Sequence, residues 1–161
     1  MTTYQFALLT GLLAGLGGAR LRASAGRPSR SGTVGLLAAA AAVLLLSPGV
    51  GPAVENQVRD VSGLVGLTVL FAHLLLLGAA AATAWHLLVR LEVDERCRPV
   101  VTGLVGVAAT VMLWRWLVTG GMPALVSSTD QRWYLVAFFC GLAIPAIAVF
   151  AAALWARSRD A

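Results

Sequence analysis

GLVGLTVLFAHLLLLGAAAATAWHLLV, residues Gly63 to Val89, holds no Asp, Glu, Lys or Arg. A helix over this stretch rises 1.5 Å per residue, so its length of about 40 Å exceeds the ~30 Å hydrocarbon core of a bilayer. A soluble domain has no way to cover so long an apolar cylinder. A bilayer solvates it directly, provided every backbone group is bonded within the helix. The remainder of the chain reads the same way. The 161 residues are 59% hydrophobic and 12% charged, with a mean hydropathy of +0.85, whereas soluble domains carry about 25% charged residues.

Four further apolar runs flank this one, at about 4–19, 34–54, 100–119 and 133–155. The expectation is a single all-α membrane domain over residues 1–161, a bundle of about five spanning helices. The first run is short for a span. Its basic residues, Arg20 and Arg22, follow it instead of preceding it, the reverse of a cleaved signal peptide. Pro48 and Pro52 predict a break near the end of the second run. Pro99 suits the first turn of the fourth, and Pro145 is a candidate hinge in the fifth.

All twelve basic residues are Arg. Arg20, Arg22, Arg27 and Arg30 fall in the first loop, Arg90, Arg96 and Arg98 in the third, and Arg157 and Arg159 in the tail. The opposite loops hold Arg59 and Arg132. Arginine accumulates on the cytoplasmic side of membrane proteins. The N-terminus is therefore expected outside and the C-terminus inside a bacterial plasma membrane, and loss of the short first span would leave the loop sides unchanged. Tyr4, Trp114, Trp116, Trp133 and Tyr134 are expected in an outer aromatic belt, with Trp85 and Trp155 in an inner one. Topology accounts for the net charge of +5, so no nucleic-acid partner is expected. The Arg20–Arg30 loop is suited to touching anionic lipid.

Two ionisable residues inside the runs are candidate functional groups. Arg115 lies between Trp114 and Trp116. It either snorkels to the outer headgroups or forms an anion site or an ion pair with Glu55, Asp60 or Asp130. His73 is suited to a hydrogen bond with a neighbouring helix, to proton relay or to haem ligation. His86 stands about 20 Å further along the same helix, so the two cannot hold one haem within a chain, and no cofactor is expected.

Acidic residues are absent from the span interiors, which weighs against ion-coupled transport. No catalytic grouping is present, and an enzyme is not expected. Cys97 in a charged loop and Cys140 in an apolar run lack zinc spacing and are not expected to pair. The Arg90–Pro99 loop, carrying Glu92, Asp94 and Glu95, reads as a solvated surface or a docking patch. Gly11 with Gly15, Gly63 with Gly66, and Gly103 with Gly106 are candidates for close helix packing. The last two pairs occur in the near-copies SGLVGL (62–67) and TGLVGV (102–107).

Three stretches resemble the N-terminal spans of an actinobacterial multi-pass family of transporter-like proteins. They are Ser47-Pro-Gly-Val50 after an arginine-rich loop and an Ala/Leu run, Val54 to Leu64 followed by Phe71-Ala-His-Leu74, and Trp133-Tyr-Leu-Val-Ala137. The resemblance implies a multi-pass membrane fold, and that family's members continue into further helices and a cytoplasmic tail. The residues themselves point first to a non-enzymatic membrane subunit or scaffold that packs with itself or with a larger membrane complex. The rival readings are a transporter or channel for a small solute or anion, a phage-type pore-forming lysis protein, and a haem-bearing electron carrier.

Overall fold

A computed structural model describes residues 8–16, 30–119 and 129–159, and every regular element among them is helical. The helices are α1 (8–16), α2 (Arg30–Leu45), α3 (Gly51–Ser62), α4 (Leu67–Arg90), α5 (Cys97–Val118) and α6 (Thr129–Arg159). Three of them, over Leu67–Arg90, Cys97–Val118 and Gln131–Arg159, are long and apolar enough to cross a membrane. The 16 residues of α2 give only about 24 Å. Tyr4, the ends of the first apolar run and residues 20–29 lie outside the described residues.

The helix expected over 34–54 divides in two. Pro48 cannot donate a backbone bond and disfavours helical geometry at Ser47. α2 accordingly ends at Leu45, and α3 starts at Gly51 with proline in its opening positions. The Ser47 hydroxyl accepts from the Val50 amide at 3.2 Å, and the Gly51 amide bonds the Ser47 carbonyl at 2.9 Å. A side chain at Gly51 would overlap the Leu45 carbonyl oxygen, so this turn requires glycine.

The start of α4 also differs from the expectation. Gly63 and Gly66 both take left-handed conformations, with φ of 70° and 77°. They form the turn between α3 and α4 rather than the first turn of a helix running from Gly63. Their role is conformational freedom, not helix packing. In the near-copy, Gly103 and Gly106 lie inside α5. α5 opens at Cys97 with Pro99 in its first turn, where a missing amide costs nothing. α6 continues as one helix through Pro145, whose ring is fully buried.

α4 is the hub. It packs against α2, α3, α5 and α6, and α5 packs along α6. Among the described residues α2 touches α3 and α4 but neither α5 nor α6. Gly35 near the start of α2 meets Ala79, Ala82 and Thr83 toward the end of α4, and Gly141 of α6 meets Leu77 of α4 and Ala108 of α5. With His73 beside Tyr134 these contacts fix the directions. α4 and α6 run one way, α2 and α5 the other. Arg90, Arg96, Arg98, Arg157 and Arg159 consequently share one end of the bundle, where α2 also begins. Arg59, Arg115 and Arg132 share the other.

Lipid provides no hydrophobic drive for joining apolar helices, so close packing has to hold them. Two close approaches between helices use glycine. A Cβ on Gly35 would stand 2.9 Å from the Thr83 hydroxyl and 3.1 Å from the Ala79 carbonyl oxygen. On Gly141 it would stand 2.8 Å from Leu77 Cδ2 and 3.0 Å from Ala108 Cβ. Around the Gly141 crossing, Leu70, Leu77, Val105, Met112, Trp116, Tyr134 and Phe138 form the buried core.

Candidate functional site

The polar feature of the bundle interior arises from helical spacing. His73 sits on α4 immediately before its leucine run, Leu74 to Leu77. Tyr134 and Phe138, four apart on α6, share one face. The parallel packing of α4 and α6 brings the two faces together. His73 Nδ1 and the Tyr134 hydroxyl are joined at 2.9 Å. The imidazole also lies 4.3 Å from the Phe138 ring, tilted by 35°. Tyr134 is 3% exposed and His73 is half-buried.

Trp116 of α5 completes the cluster at 4% exposure. Its indole N–H is buried and has no acceptor among the described residues. A buried donor in that state costs about 1–3 kcal/mol. The aromatic-belt expectation therefore divides. Trp114 and Trp133 are open at the surface, whereas Trp116 and Tyr134 are core residues. Trp114 and Trp116 are two positions apart on a helix, about 200° around it, so one faces outward as the other faces in.

Chemically, this cluster can hold a proton on the Nδ1–hydroxyl line in either direction and can offer one further donor from Trp116. Its walls are otherwise apolar. His86 is thirteen residues further along α4 and does not share the cluster. Among the described residues no group of three His, Cys, Asp or Glu side chains is placed to hold a metal. Cys97 and Cys140 are both free and exposed.

Arg115 lies in the last turn of α5 and is half-buried. Its carbonyl accepts from both the amide and the hydroxyl of Thr119, at 3.1 and 2.9 Å. A guanidinium at this position meets the negative end of the α5 dipole. Glu55, one of the carboxylates considered for Arg115, is committed elsewhere. It reaches from α3 to the start of α4 and accepts from the Gly66 and Thr68 amides at 2.5 and 3.1 Å. Two of the four amides that a helix start leaves without partners are thus bonded by a residue eleven and thirteen positions upstream. Partial burial pushes the Glu55 carboxyl up. The bonds from Gly66 and Thr68, with the charge of Arg59, pull it down by more, so it rests below the ordinary value. This cap is invisible to local pattern, because the left-handed glycines at 63 and 66 are what fold Glu55 back.

The candidate packing glycines fall into two groups. Among the described residues a Cβ on Gly11, Gly15, Gly103 or Gly106 would meet no atom within 4 Å, so these faces are open there. Gly63 and Gly66 belong to a turn. Of the described glycines, the closest approaches between packed helices are made by Gly35 and Gly141, outside the candidate pairs. Pro145 lies in the wall of an apolar groove of about 440 Å³ between α2, α4 and α6. At the arginine-rich end, Arg98 donates to the Val93 carbonyl at 3.1 Å and pairs with Glu95 at 3.6 Å. This ties the α4–α5 loop to α5. No family model, curated protein or solved structure matches this chain.

Proposed function

We propose that this chain is a non-enzymatic, multi-pass subunit or scaffold of a bacterial plasma membrane, akin to the N-terminal part of the multi-pass family named above. It crosses the bilayer five times, with α1 and α2 completing the set begun by α4, α5 and α6. The N-terminus lies outside, and the arginine-rich end of the bundle is cytoplasmic. Its work is to hold helices together, its own with those of further copies or of a larger membrane complex.

The observation that carries the reading is the outward face of the long helices. Val107 on α5 and Phe139, Ile147 and Phe150 on α6 are each more than 60% exposed. Beside Val107 the α5 surface is small and open at Gly103 and Gly106. Large apolar residues turned outward on several sides of a bundle need lipid or other helices around them. An open small-residue face allows a second backbone to approach closely.

The test is purification of the full chain in a mild detergent, followed by mass measurement of the native particle. A homo-oligomer or a stoichiometric membrane partner is expected. Replacement of Gly103 and Gly106 by Ile should reduce that particle to a folded monomer. A wild-type chain that is monomeric and alone refutes the scaffold reading.

A further inference from the structure

The groove between α2, α4 and α6 has a defined length, width and chemistry. Its floor is α4 from Leu76 to Leu87, about 16 Å at 1.5 Å per residue. Ala39 of α2 and Ala146 of α6 stand on opposite walls, Ala80 lies on the floor, and Thr83 is its one polar side chain. α2 and α6 do not meet above it, so it opens sideways into the layer where lipid chains lie.

The space within the groove, about 880 Å³ counting its open side, spread over that length gives an average section of about 55 Å². A helix, 10 Å or more across, needs about 80 Å². A single extended hydrocarbon chain fits.

The charge at the groove's mouth selects the headgroup. The floor ends at Leu87, and Arg90 follows three residues later in the last turn of α4. That is about 4.5 Å further along the axis. Arg157 is in the last turn of α6, beyond Val149 where that wall ends. Both arginines are exposed. The apolar slot therefore lies in the arginine-rich half of the bundle and leads toward a cationic rim. Such a rim attracts phosphate and other anionic headgroups.

We propose that this groove seats one acyl chain of an anionic phospholipid from the arginine-rich leaflet, with the phosphate against Arg90. The proposal rests on the bilayer placement above but not on oligomerisation.

The test uses the full chain in detergent, titrated with palmitoyl-oleoyl phosphatidylglycerol or the phosphatidylcholine of the same chains. Retained lipid is counted by native mass spectrometry. Wild type is expected to keep one phosphatidylglycerol per chain, with a preference of about tenfold or more over phosphatidylcholine. Ala146→Phe, which places a ring in the slot, should lower retention by about tenfold. Ile147→Phe, a similar ring on the adjacent exposed position, should leave it unchanged and controls for folding. Arg90→Gln should abolish the preference between the two lipids. Equal retention of both lipids by wild type, or undiminished retention by Ala146→Phe, overturns the proposal. So does a polypeptide, instead of lipid, crosslinking to a photoreactive residue at position 146. A chain that needs detergent yet keeps its lipid in Ala146→Phe refutes this site alone, whereas a chain dispersed in plain buffer refutes the bilayer placement.

Discussion

Replacing one glycine by alanine at four positions should separate packing inside the chain from packing outside it. At Gly141 the added methyl meets Leu77 Cδ2 at 2.8 Å and Ala108 Cβ at 3.0 Å. Leu77 is 1% exposed and has little room to turn away. Overfilling of this kind costs typically ~1–3 kcal/mol. Alanine's better helix propensity offsets up to about 1 kcal/mol of it, leaving a net loss of about 1 kcal/mol. At Gly35 the methyl meets the Ala79 carbonyl oxygen at 3.1 Å, a backbone atom that yields less than a side-chain tip, and a net loss of about 1–2 kcal/mol is expected. At Gly103 and Gly106 the methyl meets no atom of the described residues, so propensity acts and the folded monomer gains up to about 1 kcal/mol. Gly141→Ala and Gly103→Ala should therefore differ by about 2 kcal/mol, a factor of about thirty in the unfolding equilibrium. Reversible unfolding of the monomer in bicelles, by steric trapping or detergent titration, measures this. Equal effects at positions 103 and 141, or stabilisation by Gly141→Ala, would refute the helix arrangement.

Three other perturbations have defined outcomes. Glu55→Ala removes the cap from the start of α4 and should cost about 1–2 kcal/mol. The folded carboxyl is held below its ordinary value of 4.5, so its contribution is present above that pH. It is lost as pH falls through the depressed value, and an unfolding series from pH 7 to pH 3 should fall more steeply for wild type than for Glu55→Gln. Tyr134→Phe deletes the hydroxyl bonded to His73 and should destabilise by about 0.6–1.5 kcal/mol, with an altered His73 ring signal in NMR and little change in helicity. Glu92, two residues past the end of α4, has a φ of 54°, and there the Val93 amide reaches the Leu88 carbonyl and the Glu92 amide that of Val89. Glycine suits that position, and Glu92→Gly should stabilise by about 0.5–1 kcal/mol in the same unfolding assay.

The long apolar helices were legible because composition and length decide them without reference to the fold. The stretch 67–90 carries no charge before Arg90, and lipid tolerates few alternatives to a helix there. The break at Ser47–Val50 was legible because Pro48 acts locally. Chain-wide packing was not. SGLVGL and TGLVGV are nearly the same peptide, yet one is a left-handed turn and the other lies inside a helix. Their surroundings decide this. The first follows the polar helix α3 and is held by Glu55, and the second follows a proline-opened helix start. In a chain with seventeen glycines, spacing alone favoured pairs such as Gly103 and Gly106. Gly35 and Gly141 matter because of atoms on other helices. Trp116 and Tyr134 looked like belt residues by nearness to a run's end, but the side of the helix each occupies settles their burial. The candidate pair Arg115 and His73 was found by charge alone. The partner of His73, Tyr134, needed the parallel packing of α4 and α6 to be known.

Labelling of single thiols in intact cells tests the bilayer account most directly. A membrane-impermeant maleimide should leave native Cys97 unlabelled until the cells are opened, since Cys97 begins α5 at the arginine-rich end. It should label Arg132→Cys at the opposite end in intact cells. Cys140, exposed on the side of α6, should stay unlabelled until detergent removes the lipid. Labelling of Cys97 in intact cells contradicts the orientation, and labelling of Cys140 in intact membranes contradicts the embedding of the bundle.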